Sequence, residues 1–274
     1  MVKVIAECGK NFVHSKDITI PEALQNAKFL ALKAKESGAD IVKFQTHVFQ
    51  DEYKKRSPER WEWIKFNQAI TPYDEFWKLL KEYCDYIGIE FMTTPMSKMA
   101  AEKINDLVKT WKIGSADITD FELLNYVAET KKPLIVSTGM SNSVQIVQAL
   151  DTLTKYGSKI TLLHCVSLYP APQETLNLMT ICYWKEKYTG MPIGFSDHSN
   201  SILAPAVAIA MGAEVIEKHF TLNRDSFGFD HKISLEPNKF KMMVSNIRKV
   251  EMMLGKKEKI LLPKEQELWK QFRI

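Results

Sequence analysis

MPIGFSDHSNSILAPAVAIAMGAEVIEKHF, residues 191–220, is the stretch on which the fold turns. Two short apolar runs, MPIGFS at 191–196 and AEVIEKHF at 213–220, flank SILAPAVAIAMG at 201–212, whose small apolar residues suit a buried helix. Each short run stays apolar until it meets polar residues at its far end. Continuous apolarity is expected of parallel strands covered on both faces, whereas a half-exposed strand would alternate. The stretch therefore reads as strand, helix, strand. One histidine, His198, lies just past the first strand, and another, His219, lies at the end of the second.

The same unit repeats through the chain. Strand-like runs occur at 2–7, 41–46, 89–94, 111–115, 134–139 and 160–165, before the two already quoted. Helix-like segments lie between them at 21–38, 71–88, 97–107, 120–130, 142–157 and 174–188, and a last one spans 238–255. The 71–88 segment reads as capped by Thr71, with Pro72 at its first position and acids in its first turn. Eight strands, each followed by a helix, predict one (β/α)8 TIM barrel, an α/β fold, as a single domain over 1–274. An open doubly wound sheet is the alternative, but no Gly-rich nucleotide loop supports it. Residues 46–70 form a long active-site loop after the second strand. Its Trp61, Trp63 and Phe66 fit either a folded flap over the site or a surface excursion packed on its own aromatics. Residues 256–274 read as a C-terminal tail.

Bulk properties exclude several function classes. A net charge of +4, from 37 basic and 33 acidic residues, is too mild for nucleic-acid binding, and KKEK at 256–259 reads as a solvated face. Cys8, Cys84, Cys165 and Cys182 form no C-x-x-C pair, and Cys8 and Cys165 read as buried free thiols. MVKVIAECGK has no signal-peptide character, and the run from Ile202 to Ala213 is too short to span a bilayer. The expectation is a cytoplasmic protein without a membrane partner.

In a (β/α)8 barrel the active site lies at the C-terminal ends of the strands. Here those ends carry Glu7, Lys43 and Gln45, Thr93 and Thr94, Lys112 and Ser115, Ser137 and Thr138, His164 with Ser167 and Tyr169, Ser196 with Asp197 and His198, and Glu217 with His219. A lone strand-end serine is usually a helix cap, and a lone histidine is usually structural. Two lysines inside apolar strands are a different matter, because a buried cation must find an anion. With neutral hydroxyls around the same rim, they describe a pocket for phosphate, carboxylate or both. Adjacent strands lie about 4.8 Å apart, so His198 and His219 are within reach of one metal ion. Two histidines suit an open metal site rather than a closed structural one. Asp197 and Glu217 are candidates for further ligation or for orienting the ligands, and Asp197 reads equally well as the cap of the next helix.

Nine motifs in order, IAECGKNF, ADIVKFQTH, FMTTPMS, WKIGSADI, PLIVSTGM, LLHCVSLYPAP, GFSDHS, GAEVIEKHFTL and GFDHKISLEP, resemble the N-acetylneuraminate (sialic acid) synthase family. Its relatives make legionaminic, pseudaminic and other nonulosonic acids. The resemblance implies a TIM barrel that condenses phosphoenolpyruvate with an open-chain aldose or amino sugar, releasing phosphate. It implies a divalent metal, Mn²⁺ with Mg²⁺ or Co²⁺ as alternatives, held by His198 and His219. Lys43, Gln45, Thr94, Lys112, Ser115, Ser137 and Ser196 match the phosphoenolpyruvate-binding motifs. Glu7 and Asp230 match residues at the sugar end, with Ser167 and Tyr169 between. The catalytic set so implied is Glu7, Lys43, Lys112 and Asp230.

Two departures from the family pattern stand out. CGKNFVHSKD keeps Asn11 but not the histidine and glycine of the usual N-H-N-G. Most members also continue into a C-terminal antifreeze-like domain that gives an arginine to the partner's sugar site. This sequence ends at LLPKEQELWKQFRI. The expectations that follow are a different aldose, or a separate protein supplying the missing piece, and a homo-oligomer formed through the barrel. Two rival readings are a Schiff-base aldolase using Lys112 or Lys218, and a non-catalytic sugar-phosphate-binding barrel.

Overall fold

Eight parallel strands run in chain order: β1 (Lys3–Gly9), β2 (Ile41–Thr46), β3 (Glu90–Pro95), β4 (Trp111–Ile113), β5 (Leu134–Ser137), β6 (Ile160–Cys165), β7 (Ile193–Asp197) and β8 (Val215–His219). The structure, a computed structural model, describes residues 1–272. The strand order is β3-β2-β1-β8-β7-β6-β5-β4, and β3 and β4 meet without a ladder to complete the barrel. The expected (β/α)8 architecture is the one observed.

The strand period of two explains how one barrel holds both an apolar floor and a polar site. Ile5, Ile41, Met92, Ile135, Leu163 and Val215 form a separate buried cluster inside the barrel. Two residues further along the same inward faces come Glu7, Lys43, Thr94, Ser137, Cys165 and Glu217. Six of the eight strands thus carry a hydrophobic anchor below and a polar group above. On β7 the floor position is Gly194, where a Cβ would lie 2.5 Å from both Leu163 Cδ2 and the Val215 carbonyl oxygen. Only glycine fits that approach. The outward faces, including Phe44, Trp111 and Phe195, join the larger core beneath the helices.

The surrounding helices are α1 (Ile20–Glu36), α2 (Phe49–Glu52), α3 (Trp61–Ile70), α4 (Lys78–Ile87), α5 (Lys98–Ile104), α6 (Phe121–Glu129), α7 (Ser143–Thr154), α8 (Met179–Lys187), α9 (Ala204–Ala210), α10 (Pro237–Leu254) and α11 (Pro263–Phe272). Capping explains several boundaries. Thr19 and Glu22 form a capping box on α1, and Asn142 and Gln145 form one on α7. The expected cap at Thr71 is not made. Its hydroxyl donates to the Asn67 carbonyl at 2.6 Å, closing α3, and the next element starts at Pro72 with a π-helical turn over Tyr73–Trp77 before α4.

Residues 46–70 are largely helical, holding α2, a 3₁₀ turn at Pro58–Arg60 and α3. Trp61 packs on Phe49 and Tyr53 of the same segment, while Trp63 packs on Phe227 and Phe229 from the loop after β8. The expected 256–274 tail contains α11, with Leu268 and Trp269 exposed. Among the described residues, no helix is long and apolar enough to cross a membrane.

Candidate active site

Four charged side chains sit on the apolar floor. Lys43 forms an ion pair with Glu7, its register partner on β1, and lies 3.6 Å from Glu217 Oε2. Lys112 lies 3.7 Å from the same oxygen. All four are buried. Lys43 also donates to Thr94 Oγ1 at 3.1 Å, and Lys112 donates to Ser137 Oγ at 2.7 Å. Ser196 Oγ donates to Glu217 Oε1 at 3.1 Å, whereas Glu217 Oε2 has no hydrogen bond.

This crowding separates the behaviour of the two carboxyls. Burial pushes Glu7 up to about 7; Lys43 opposes that rise, and the Glu217 and Asp230 carboxylates add to it. Burial also works to raise Glu217, but Lys112 and Lys43 outweigh it and hold that carboxyl below its usual range. Burial lowers Lys112, with Lys43 adding to the effect and Glu217 opposing it. One carboxyl thus titrates near neutrality while its neighbour stays ionised, a division that suits proton transfer.

A hydroxyl rim lies on the β4–β6 side. Ser115 Oγ accepts from the Gly139 N–H at 3.1 Å and approaches Cys165 Sγ at 3.5 Å. A Cβ on Gly139 would come 2.1 Å from Ser167 Oγ and 2.8 Å from Ser115 Oγ, so residue 139 must be glycine to leave room for both. On the β1 side, Gln45 Nε2 donates to Glu7 Oε1 at 2.9 Å. Gly9, at φ +46°, leaves the space in which Asp230, Glu7 and Gln45 converge.

The two histidines meet as the strand order requires. Their ring centroids are 5.4 Å apart, and the Tyr169 ring lies 4.3 Å from that of His198. His198 Nδ1 donates to the Val166 carbonyl at 2.9 Å, leaving Nε2 for another partner. A backbone carbonyl behind an imidazole is the usual support for a metal-ligating histidine. His219 Nδ1 is buried without a hydrogen-bond partner, 4.0 Å from Asp230 Oδ2. Burial, together with the nearby cations, pushes His219 well below its ordinary value, so it stays neutral, as a ligand must. The donor set fits an open cation site. No group of three or more His, Cys, Asp or Glu among the described residues is arranged to hold a metal. The remaining positions would fall to water or substrate oxygens.

Three expectations require correction. Of the two roles open to Asp197, ligation is the one its position opposes, since it faces the barrel wall, pairs with Lys218 at 2.6 Å and accepts the Ser199 N–H at 2.8 Å; the orienting role stays open. Glu217 is not a ligand either, because its carboxylate is taken up between two lysines and Ser196. Lys218 cannot serve as a Schiff-base nucleophile, since it is fully buried outside the barrel interior and ion-paired. His164, also in the wall, is satisfied by the Leu176 carbonyl at 2.7 Å. Two site features escaped the sequence reading. One is the role of Glu217 as the shared counter-ion of both lysines. The other is Cys165, 3.7 Å from His198 Nδ1. The shared inward face of Glu217 and His219 was the available signal for the first.

Buried lysines, hydroxyls and an imidazole pair thus gather at the C-terminal rim of a (β/α)8 barrel, where barrel enzymes carry their active sites. The NeuB family model matches residues 30–259, and the chain belongs to the NeuB family. It is similar to the N,N'-diacetyllegionaminic acid synthase of Legionella pneumophila, with 39% identity covering 97% of this chain and 76% of that protein. An uncharacterized protein of Methanocaldococcus jannaschii is 43% identical over 97% of this chain and 75% of its own. Among solved structures, the N-acetylneuraminic acid synthetase of Leptospira borgpetersenii, in complex with citrate, superposes with a TM-score of 0.87 at 33% identity, covering 98% of this chain and 90% of that one.

Proposed function

We propose that the protein condenses phosphoenolpyruvate with an open-chain aldose or amino sugar and releases phosphate. The product is a nonulosonic or related 3-deoxy-2-keto sugar acid. The observation that carries this reading is the convergence of Lys43 and Lys112 on Glu217, above an apolar floor and inside a ring of hydroxyls. Two cations held so close to one carboxylate retain charge for a substrate bearing both a phosphate and a carboxylate. Thr94, Ser115, Ser137 and Ser196 line the same rim as neutral donors.

His198 and His219 would hold a divalent cation, with Mn²⁺ the first choice and Mg²⁺ or Co²⁺ as alternatives. When bound, the cation would supply Lewis-acid polarisation of the sugar's aldehyde. Lys43 and Lys112 orient phosphoenolpyruvate so that its methylene carbon faces that aldehyde carbon; a carbon–carbon bond forms between them as the carbonyl π pair moves onto the aldehyde oxygen, which takes a proton from solvent. Water then adds to the enol-phosphate carbon, and the carbon–oxygen bond to phosphate breaks. In this reading Glu7, raised to about 7, takes the proton that water gives up, and the lysines offset charge on the departing phosphate. Gln45 and Asp230, which meet Glu7 around Gly9, contact the sugar, with Ser167 and Tyr169 between the two substrates.

Phosphate release from phosphoenolpyruvate across an aldose panel tests the reading, with Mn²⁺ added, then EDTA, then Mn²⁺ restored. Release that depends on both sugar and metal is expected. Borohydride trapping of substrate on Lys112 would instead support the aldolase. Phosphoenolpyruvate binding with no release from any sugar would support a non-catalytic barrel.

A further inference from the structure

We infer that the buried Lys218–Asp197 pair is a positioning device that sets the spacing of His198 and His219, and through it the affinity of the cation site; this rests on the metal reading proposed above. Asp197 and Lys218 are register partners on β7 and β8. Their side chains meet at 2.6 Å and are 0% exposed. Asp197 Oδ1 also accepts the Ser199 N–H at 2.8 Å, while Lys218 Nζ donates to the Ser199 carbonyl. The pair therefore holds both backbone groups of Ser199, the residue just after His198, and ties them to the residue just before His219.

Strand alternation makes this grip effective. Successive side chains point to opposite faces. Lys218 and Asp197 lie in the wall, and the residue after each, His219 at the end of β8 and His198 just past β7, projects toward the site. His198 needs the support more, because β7 ends at Asp197 and the last register pair of β7 with β8 is Asp197 with Lys218. His198 is thus the first residue beyond the ladder. Its ring is held by the Val166 carbonyl at 2.9 Å, and its backbone by the contacts that Asp197 and Lys218 make to Ser199. Full charges removed from water are a poor way to gain stability, since apolar residues of similar volume often serve as well. A fully buried pair whose members each precede a ligand histidine calls for a geometric role.

The test is Mn²⁺ binding, followed by the electron paramagnetic resonance signal of the free ion. Wild type, His198→Ala and the double variant Asp197→Asn/Lys218→Met are compared. The amide oxygen that Asp197→Asn introduces can still accept the Ser199 N–H, and the double change leaves no unpaired buried charge. Wild type should bind Mn²⁺ and His198→Ala should lose it. The double variant should fold, as judged by thermal melting, and bind phosphoenolpyruvate in the absence of metal as wild type does. Its Mn²⁺ affinity should be weaker by about 10- to 100-fold, the usual effect of losing a residue that supports a metal ligand. Wild-type Mn²⁺ affinity in the folded double variant would overturn the inference and leave the metal reading standing. Absence of Mn²⁺ binding by wild type would overturn both, and is visible before any variant is made. If that double variant does not fold, Asp197→Asn/Lys218→Leu, which also leaves no unpaired buried charge, takes its place: weakened Mn²⁺ binding with intact phosphoenolpyruvate binding supports the inference, and unchanged Mn²⁺ binding overturns it.

Discussion

Glu217 and Lys218 are neighbours in sequence, yet they belong to two buried charge clusters of opposite character. In the wall, Lys218 meets Asp197 at 2.6 Å, and both are closed off by Ser199. In the interior, Glu217 Oε2 lies 3.6 Å and 3.7 Å from two lysines and has no hydrogen bond, and His219 Nδ1 has none either. A self-satisfied pair has nothing left to offer a ligand. Groups that are buried, charged and incompletely satisfied keep that capacity, and such groups cluster at functional sites.

The largest effect expected from this contrast is on stability in the wall. Lys218→Met leaves Asp197 buried and uncompensated, and should cost about 3–5 kcal/mol in urea denaturation. Lys112→Met in the interior should instead lower kcat/KM for phosphoenolpyruvate by about 10²- to 10³-fold in phosphate-release assays, with little loss of stability. If Lys112→Met proved as unstable as Lys218→Met and kept its kinetics, the two clusters would not differ in kind.

Glu7→Gln should lower kcat by about 10²-fold or more at saturating substrate. Glu7 also leaves a mark on the pH dependence of folding. Its folded value is about 7 against an ordinary 4.5, so between those values the native state holds more protons than the unfolded one. The associated stability is fully present below 4.5 and is lost as pH rises through about 7. Denaturation midpoints followed across that window should fall in wild type and flatten in Glu7→Gln.

The smallest effect is expected at Lys10, which belongs to neither cluster. Its buried Nζ has no hydrogen-bond partner and rests near the Phe12 and Trp77 rings. Burial lowers it from 10.5 to about 7, against the pull of Glu52 and Glu7, so the unfolded chain binds more protons between those values and stability rises with pH across them. Lys10→Met should stabilise the protein at neutral pH by about 2 kcal/mol and lose the advantage at alkaline pH, as read by denaturant midpoints.

Much of the site could be read directly from the chain. The inward faces are predictable because residues two apart on a strand share a side, so Ile5 beneath Glu7, Ile41 beneath Lys43 and Val215 beneath Glu217 follow from alternation alone. The short distance between His198 and His219 follows from the adjacency of β7 and β8. Thr71 was less legible, because a threonine before proline serves equally well to close one helix or to open the next. It does the first.

What the sequence by itself determined is the barrel, the rim at which its polar residues gather, and the lysines and histidines that face inward. Parallel strands covered on both faces must be apolar, and their polar tips must therefore collect at one end. What only the tertiary structure decided is which charge answers which. Glu217 pairs with Lys43 and Lys112, and Asp197 pairs with Lys218 in the wall rather than facing the interior. Those pairings depend on the stagger between strands, which closure of the whole barrel sets and no single strand encodes.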